Sequence, residues 1–255
     1  MKEFDEKRVT EEVIQWIRDW FEQNGKGCTA VLGMSGGKDS TVAAALCAEA
    51  LGKDRVIGVA MPDNNQAIND ADRISKYIGI RYCVAPIGTI TNAINGLKLQ
   101  DNESVVDDWT VQTMQNVPPR VRMVMLYAIA QTNNGRVVNT CNLSEDWIGY
   151  ATRYGDNAGD FSPLSFLTVT EILQIGRVLG LPLEWVDKTP DDGLPHSSPD
   201  EVKLGFTYAT LDKYIREGIE PEPATKEKID RLHRLNLFKV KYMDRFDPEI
   251  PIVIF

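Results

Sequence analysis

Apolar positions along the first ninety residues recur with helical and strand periods in turn. Residues 9–23 carry apolar side chains at helical spacing, and Gly25 is a typical helix end. Three short apolar runs, at residues 28–34, 55–61 and 80–85, alternate with helical segments. Strands that alternate with helices of this length form parallel βαβ units. The pattern predicts an α/β fold with three layers, a central parallel twisted sheet with helices on both faces.

After residue 85 the pattern predicts mainly helices. Residues 96–107 are polar and loop-like. A long helical stretch follows, in which Pro118 and Pro119 fit the first turn of a new helix. Residues 136–140 form a fourth apolar run, and we expect a strand there, followed by a helix that begins near Glu145.

The first predicted strand runs into a glycine-rich turn, Ser-Gly-Gly-Lys-Asp-Ser at residues 35–40, and then into a helix. Glycine lets the backbone approach a phosphate, and the N–H groups of the turn and the helix N terminus favour an anion. A carboxylate there would repel phosphate unless a cation lay between them, so Asp39 predicts Mg²⁺. The alternative is an ordinary strand-to-helix turn, in which glycine and serine are common.

Two commoner phosphate loops do not fit this turn. The Walker A motif requires Gly, four residues and then Gly-Lys-Ser/Thr, whereas Lys38 is followed by Asp39. The Rossmann fingerprint Gly-x-Gly-x-x-Gly fails at its third position, which is Ser35. The turn therefore predicts a different class of nucleotide site.

A second carboxylate follows another strand. Sites in open parallel sheets form outside the carboxyl ends of the strands. Glu145 follows the fourth predicted strand as Asp39 follows the first. Two carboxylates from different loops can meet at one sheet edge, which is how a magnesium-triphosphate is held.

Composition and charge restrict the class of protein. The 255 residues, 43% hydrophobic and 25% charged, are typical of one large globular domain. The four cysteines include no Cys-x-x-Cys pair and are expected to be reduced. A net charge of −9 argues against a nucleic-acid partner. With no membrane-length apolar run and no secretory signal, we expect a cytoplasmic protein without a membrane partner.

The turn at residues 35–40 resembles the pyrophosphate loop of the ATP pyrophosphatases, and four further motifs resemble those of the ammonia-dependent NAD synthetases. They occur in the family's order and span nearly the whole chain. They are Asn-Val-Pro-Pro-Arg-Val-Arg-Met at residues 116–123, Thr-Cys-Asn-Leu-Ser-Glu at 140–145, Gly-Tyr-Ala-Thr-Arg-Tyr-Gly-Asp at 149–156 with Asp160 beyond it, and Asp-Glu-Val-Lys-Leu-Gly-Phe-Thr-Tyr at 200–208. The resemblance implies an adenine nucleotide alpha hydrolase-like fold, in one domain over residues 1–255 without a glutaminase domain.

The resemblance also implies roles for individual residues. The residues implied at the ATP site are Gly33, Met34, Ser35, Gly36, Gly37, Lys38, Asp39, Ser40, Thr140, Val169 and Asp191. Asp39 and Glu145 would bind Mg²⁺. The residues implied to bind deamido-NAD are Arg120, Arg153, Asp160, Phe238 and Lys239. The family forms homodimers with this substrate near the subunit interface, so the helix that carries Arg120 is expected at a dimer contact.

The implied reaction is the amidation of deamido-NAD, the last step of NAD biosynthesis. ATP converts the nicotinate carboxylate into an acyl-adenylate with loss of pyrophosphate, and ammonia then displaces AMP. No protein nucleophile is required, and His196 and His233 are interpreted as surface residues. The candidate catalytic residues are Asp39, Glu145, Asp156 and Asp160. Either Asp156 or Asp160 would accept a proton from ammonium.

Three positions depart from the family pattern. Val169 stands where many relatives have a lysine that reaches the triphosphate, Asp191 where they often have a threonine, and Asn139 where they have a glycine. We hypothesise that Lys38 or Lys188 supplies the missing charge. The alternative for Lys38 is an exposed residue in the first turn of the helix.

Two other functions stay open at this point. Another ATP pyrophosphatase would amidate or thiolate a different nucleotide or an RNA base, but the acidic charge and the absence of paired cysteines argue against it. A non-catalytic ATP-binding module is favoured by Val169 and Asp191, whereas Asp39 and Glu145 argue for catalysis.

Overall fold

A four-stranded parallel sheet lies at the centre of the described chain. The computed structural model describes residues 4–97, 109–187 and 200–241. The strands are β1 (Thr29–Gly33), β2 (Val56–Ala60), β3 (Arg81–Val84) and β4 (Gly135–Val137), in the order β3-β2-β1-β4. Val31 of β1 lies between Ile57 of β2 and Val137 of β4. Every pairing is parallel, as the alternation of strands and helices predicts.

The remaining regular structure of the described residues is helical. The helices are α1 (Glu6–Asn24), α2 (Lys38–Leu51), α3 (Asn69–Ile78), α4 (Gly88–Asn95), α5 (Val111–Thr132), α6 (Leu143–Ile148), α7 (Val169–Val178), α8 (Leu183–Val186), α9 (Asp200–Leu204), α10 (Tyr208–Glu217) and α11 (Pro223–Val240). Within the described ranges, none of them has both the length and the apolar character needed to cross a bilayer.

Helices cover both faces of the sheet because its side chains alternate between two apolar clusters. Ala30 and Leu32 of β1 pack with buried residues of α1, α2, α3 and α7. Val31, between them in sequence, packs on the other face with Val121 and Leu126 of α5. Burial on both faces is typical of a parallel sheet, and it confirms the predicted three layers.

One predicted helix boundary is wrong. Pro118 and Pro119 do not begin a new helix, since α5 continues through them from Val111 to Thr132. Proline lacks an N–H, so the carbonyls of Met114 and Gln115 lose their partners in the helix. Both of those residues are exposed, and water can solvate their carbonyls, while Pro118 is buried. The helix therefore tolerates both prolines at moderate cost.

The fourth strand is shorter than predicted. It ends at Val137 instead of residue 140, because the chain then pairs with a later segment. Val138 forms a parallel bridge with Phe161, and the Asn139 N–H donates to the Phe161 carbonyl at 2.8 Å. The Val138 N–H still donates to the Val31 carbonyl of β1 at 2.9 Å, so the chain leaves β1 only after Val138.

A third apolar cluster joins α6, α7, α9, α10 and α11 beside the sheet. Its buried members include Ile148, Leu204, Leu211 and Ile229. Asp212 of α10, which is 4% exposed, connects three of these helices. Its carboxylate accepts the Ser144 hydroxyl at 2.5 Å and the Thr170 N–H and hydroxyl at 2.8 and 2.6 Å.

Replacing Asp212 with alanine is expected to lower the free energy of unfolding by about 3 kcal/mol, because buried donors on α6 and α7 lose their acceptor. Asp212→Asn keeps one acceptor oxygen and is expected to cost less. Urea denaturation followed by circular dichroism measures both variants. A loss below about 1 kcal/mol for the alanine variant would show that water replaces the carboxylate.

Candidate active site

The glycine-rich turn lies between β1 and α2 at the carboxyl end of the sheet. Gly36 adopts φ +81°, and a Cβ there would lie 2.9 Å from the Cβ of Asp70, so the position requires glycine. Gly37 is the N-cap of α2, and no described side chain caps that terminus. The first N–H groups of α2 are therefore available to an anion.

The side-chain hydroxyls of the turn bond within the turn itself. The Thr41 and Ser40 hydroxyls donate to the Gly37 carbonyl at 2.7 and 3.1 Å. The Gly37 N–H donates to Ser35 Oγ at 3.2 Å. These bonds hold the backbone of the turn in one shape before a ligand arrives.

Asp39, in the first turn of α2, connects two loops of the sheet edge. Its Oδ2 accepts the Lys38 ammonium at 2.8 Å, and its Oδ1 accepts the Asn142 amide at 3.2 Å. Asn142 is the N-cap of α6 and forms a capping box with Glu145. The Glu145 N–H donates to Asn142 Oδ1 at 2.9 Å, and Glu145 Oε2 accepts the Asn142 N–H at 3.3 Å. The structure thus brings the two predicted metal ligands to one edge.

The charges of Asp39, Glu145 and Lys38 affect one another's pKa. Burial raises the pKa of Glu145 to about 8, and the negative charge of Asp39 raises it further, against the effect of Lys38. Burial opposes the charge of Lys38, but Asp39, Glu145 and Asp200 outweigh burial and raise the pKa of Lys38. Three carboxylates, those of Asp39, Glu145 and Asp200, therefore interact with one lysine, Lys38, at this edge.

The donor set fits Mg²⁺ that arrives with a nucleotide. Mg²⁺ is usually held by one or two carboxylates plus substrate phosphates and water. Asp39 and Glu145 supply two carboxylates, and two like charges at close range are stabilised by a cation. Among the described residues no group of three or more His, Cys, Asp or Glu side chains could hold a metal ion. The edge therefore fits a metal that is shared with ATP better than a closed metal site.

Tyr208 closes the buried side of this edge. Its ring lies 5.8 Å from the Lys38 ammonium, and its buried hydroxyl has no hydrogen-bond partner among the residues that the structure describes. Burial raises its pKa, and the charges of Glu145 and Asp200 raise it further. Asp200 accepts the Tyr150 hydroxyl at 2.9 Å. Both ends of the motif at residues 200–208 therefore contribute to the site.

A separate pocket of about 510 Å³ contains residues implied for the second substrate. Arg153, Asp160 and Lys239 line it, together with Tyr127 and Tyr154. With Lys241 and Asp146, its wall carries three cations, two carboxylates and aromatic rings, and the excess of cations suits a nucleotide with a negative charge.

Arg153 and its neighbours form one rim of the pocket. The guanidinium carbon of Arg153 lies 5.0 Å from the Tyr154 ring centre and 5.2 Å from the Phe238 ring centre. Arg120 is exposed on α5, and its Nε donates to the Arg153 carbonyl at 3.3 Å. The Lys239 ammonium donates to the Gly149 carbonyl at 2.8 Å. All five residues implied for deamido-NAD thus lie at or beside one pocket.

Asp156 and Asp160 differ in how their carboxylates are used. Asp160 Oδ2 accepts the Val137 N–H at 2.7 Å and its Oδ1 accepts the Tyr127 hydroxyl at 3.5 Å, so both oxygens have donors. Asp156 Oδ1 accepts the Thr152 N–H at 2.8 Å. Loss of surrounding water raises the pKa of Asp156, against the effect of its hydrogen bonds.

Comparison with known proteins places this site in a family. The family model described as NAD synthase matches residues 9–246. The NH(3)-dependent NAD(+) synthetase of Thermococcus sibiricus is 36% identical over 247 residues, which are 96% of this chain and 93% of that protein. The chain belongs to the NAD synthase family.

Solved structures support the same family. The NMN synthetase of Francisella tularensis has a TM-score of 0.84 and 27% identity, covering 97% of this chain and 100% of that one. The NH3-dependent NAD synthetase of Campylobacter jejuni has a TM-score of 0.75 and 26% identity, covering 96% and 100%. These NAD synthases have the adenine nucleotide alpha hydrolase fold, as the sequence motifs imply.

The structure explains one departure from the NAD synthase pattern. Asn139 is buried, and its amide donates to the carbonyls of Asp156 and Ala158 at 2.9 and 3.1 Å. Its Oδ1 accepts the Cys141 N–H at 2.9 Å. A Cβ on Gly159 would lie 2.8 Å from that of Asn139, so the loop is adapted to the larger residue.

The other residues that the sequence implied at or near the ATP site differ in how deeply they are buried. Val169 is buried in the third apolar cluster, and its N–H donates to Ser144 Oγ at 3.0 Å. Thr140 is half-buried just beyond β4. Asp191 and Lys188 lie outside the described residues. Lys38 is not the exposed residue of the alternative interpretation, since only 5% of its side chain is accessible.

His233 is not a free surface residue. Its ring stacks on Trp147 at 4.2 Å between centres, and Nδ1 lies 2.8 Å from the Trp147 carbonyl. It therefore fixes α11 against α6. His196 lies outside the described residues.

Sequence reasoning missed functional groups that have no distinctive spacing. Asn142 donates to Asp39 Oδ1, and the sequence analysis placed it in the motif at residues 140–145 without a role of its own. Asp146 follows Glu145 and lines the pocket, where burial raises its pKa to about 6. Tyr208 was part of a motif without an assigned role. The one usable signal was their place in the motifs at residues 140–146 and 200–208.

Proposed function

We propose that this chain is a ligase that amidates deamido-NAD with ammonia at the expense of ATP, through an acyl-adenylate, releasing AMP and pyrophosphate as the last step of NAD biosynthesis. The observation that carries the proposal is that Asp156 lies between the nucleotide edge and the pocket, because its carbonyl accepts the thiol of Cys141, next to Asn142 at that edge, at 3.2 Å and the amide of Asn139, which lines the pocket, at 2.9 Å. The charge of Asp156 raises the pKa of Glu145 on one side and that of Lys239 on the other, although burial lowers the Lys239 value overall. Two substrates bound on either side would meet near Asp156.

On the nucleotide side, the chain would position ATP by its backbone. The first N–H groups of α2, which no described side chain caps, would bind phosphate oxygens, and Asp39 and Glu145 would hold Mg²⁺. When bound, Mg²⁺ would neutralise charge on the leaving pyrophosphate. The tight internal bonds of the turn mean that its donors need little rearrangement.

On the pocket side, Arg153 and Lys239 would attract the phosphates of deamido-NAD, and the rings of Tyr154 and Phe238 would stack on its bases. Asp156 is the proposed acceptor for the ammonium proton, because it lies between the nucleotide edge and the pocket, and burial raises its pKa. The raised pKa of Asp156 favours its role as a base near neutral pH.

The test is a turnover assay of the purified chain with ATP, Mg²⁺ and deamido-NAD. We expect NAD and AMP in equal amounts with ammonium as nitrogen donor and far slower formation with glutamine. NAD without AMP, or no NAD with either donor, would contradict the proposal.

A second substrate deserves the same assay because of one comparison. The NMN synthetase of Francisella tularensis has a higher TM-score than the Campylobacter jejuni enzyme, 0.84 against 0.75. Because that protein is named for the synthesis of NMN, we test nicotinate mononucleotide, the acid that corresponds to NMN, as a second substrate of this chain. The kcat/KM for deamido-NAD divided by that for nicotinate mononucleotide distinguishes the two candidate substrates. A value above one supports deamido-NAD.

Replacing Arg153 with methionine is expected to raise KM for deamido-NAD about tenfold, the effect of losing one charged contact, and to leave KM for ATP within about twofold. Steady-state kinetics with each substrate varied in turn measures this. Arg8→Met removes an exposed arginine of α1 that pairs with Glu12, and it serves as the control. If the KM values for deamido-NAD and for ATP change equally, Arg153 has a structural role and does not bind deamido-NAD.

We also propose that the chain forms a homodimer through α5. Val124 and Tyr127 on this helix are 68% and 40% exposed, next to Arg120 at the pocket rim. Apolar side chains along one exposed helix face favour association. Val124→Asp is expected to give monomers in analytical ultracentrifugation, whereas Ile219→Asp, at a position 52% exposed beyond α10, is not. A monomeric parent protein would contradict the proposal.

We propose a cytoplasmic location for the enzyme. All four cysteines lie within the described residues and are free thiols. Unpaired cysteines are typical of a reducing compartment.

A further inference from the structure

Lys38 occupies a position that binding of ATP does not by itself explain. It lies in the first turn of α2, where the helix dipole disfavours a cation, yet its side chain is 5% exposed. Its ammonium donates to Asp39 Oδ2 at 2.8 Å. The lysine therefore pairs with a carboxylate that is needed for the metal.

Lys38 is the cation that interacts with the carboxylates of this edge. Asp39, Glu145 and Asp200 all attract it, and the Tyr208 ring faces it at 5.8 Å. A metal ion on Asp39 would repel the ammonium strongly at this range in a half-buried site. The Asp39 carboxylate cannot bind a metal ion and the Lys38 ammonium at full strength at the same time.

We propose that Lys38 is a positioning residue that neutralises Asp39 in the nucleotide-free protein and turns to the phosphates of ATP when Mg²⁺ binds. This inference rests on the proposed function for its ATP site. The lysine side chain has four flexible carbons and a compact charge, which suit such an exchange. The neighbouring α7 presents buried Val169 at its first position, so this residue supplies no charge to the phosphates.

The first test is a metal titration without nucleotide. Mn²⁺ binding, followed by electron paramagnetic resonance, is expected to be at least tenfold tighter in Lys38→Met than in the parent protein, because the competing cation is gone. Lys7→Met, which removes an exposed lysine from the first turn of α1, is expected to leave it unchanged. Lys38→Arg, which keeps the charge, is expected to bind as the parent does. Equal or weaker binding in Lys38→Met overturns the exchange.

The second test is the KM for ATP at saturating Mg²⁺. Lys38→Met is expected to raise it at least tenfold and to leave KM for deamido-NAD unchanged, since the phosphates lose a cation. An unchanged KM for ATP overturns the contact with phosphate. Replacing a lysine with a merely structural role would not strengthen metal binding and weaken ATP binding together.

A third measurement does not use Lys38→Met, in case that variant does not fold. The side-chain ¹⁵N resonance of Lys38, assigned by its loss in Lys38→Arg, is expected to shift when Mg²⁺ is added. No shift at saturating Mg²⁺ overturns the proposal. The metal titrations contain no substrate, so their outcome does not depend on whether the enzyme amidates deamido-NAD.

Discussion

Asp39→Asn is expected to lower kcat/KM for amide formation by about 10³-fold or more, with the fold retained. The amide keeps an oxygen that accepts from Asn142, so the link between α2 and the α6 cap is preserved. It removes one of the two negative charges that would hold Mg²⁺. Adenylation depends on that ion to neutralise the leaving pyrophosphate, so the first half-reaction should fail.

Pyrophosphate release measured with deamido-NAD but without ammonium isolates this half-reaction. Asp72→Asn is the matched control, since Asp72 also lies in the first turn of a helix and pairs with a lysine, Lys76, at 2.6 Å, but on the surface. It is expected to leave turnover within about twofold. Loss of activity in both variants, or in neither, would remove Asp39 from the metal site.

The sequence predicted the sheet well because each strand is a short apolar run between helices. Periodicity also located the nucleotide turn at the correct end of β1. It did not predict the end of β4, because Val138 and Asn139 pair with Phe161, more than twenty residues later. Nor did it reveal that α5 runs through Pro118 and Pro119, since this depends on which carbonyls water can reach.

The site shows the same division. Asp39 and Glu145 were predictable because both follow strands whose carboxyl ends share an edge. The burial of Lys38 was not, because a lysine in a first helical turn is normally solvated. Its position depends on Tyr208 of α10, a helix that the hydrophobic pattern did not predict. Long-range packing thus decides which charges the site keeps.

Glu145→Gln is expected to stabilise the metal-free protein at alkaline pH while it abolishes turnover. The pKa of Glu145 is about 8 in the folded protein against an ordinary value of 4.5, because burial and Asp39 disfavour its charge. Between these two values the folded state binds more protons than the unfolded state, so stability falls as pH rises from about 4.5 to about 8. Glutamine carries no proton to lose, and its amide oxygen still accepts the Asn142 N–H of the capping box. The variant should therefore melt near the parent at pH 5 and several degrees above it at pH 9.

Glu171→Gln provides the control with the opposite sign, and thermal melts in a chelator at both pH values measure the two variants. Glu171 holds the same capping-box position in α7, but Arg216 donates to its two oxygens at 2.7 Å each. Its charge is paired, so its loss should lower the melting temperature at both pH values. Glu145 has the opposite balance, because Asp39 repels it and Lys38 is shared with Asp39. If the difference in melting temperature between the parent protein and Glu145→Gln is the same at pH 5 and at pH 9, the repulsion between the two carboxylates does not destabilise the protein. A difference with the expected sign would show that the charge at this edge costs stability and is kept for the metal.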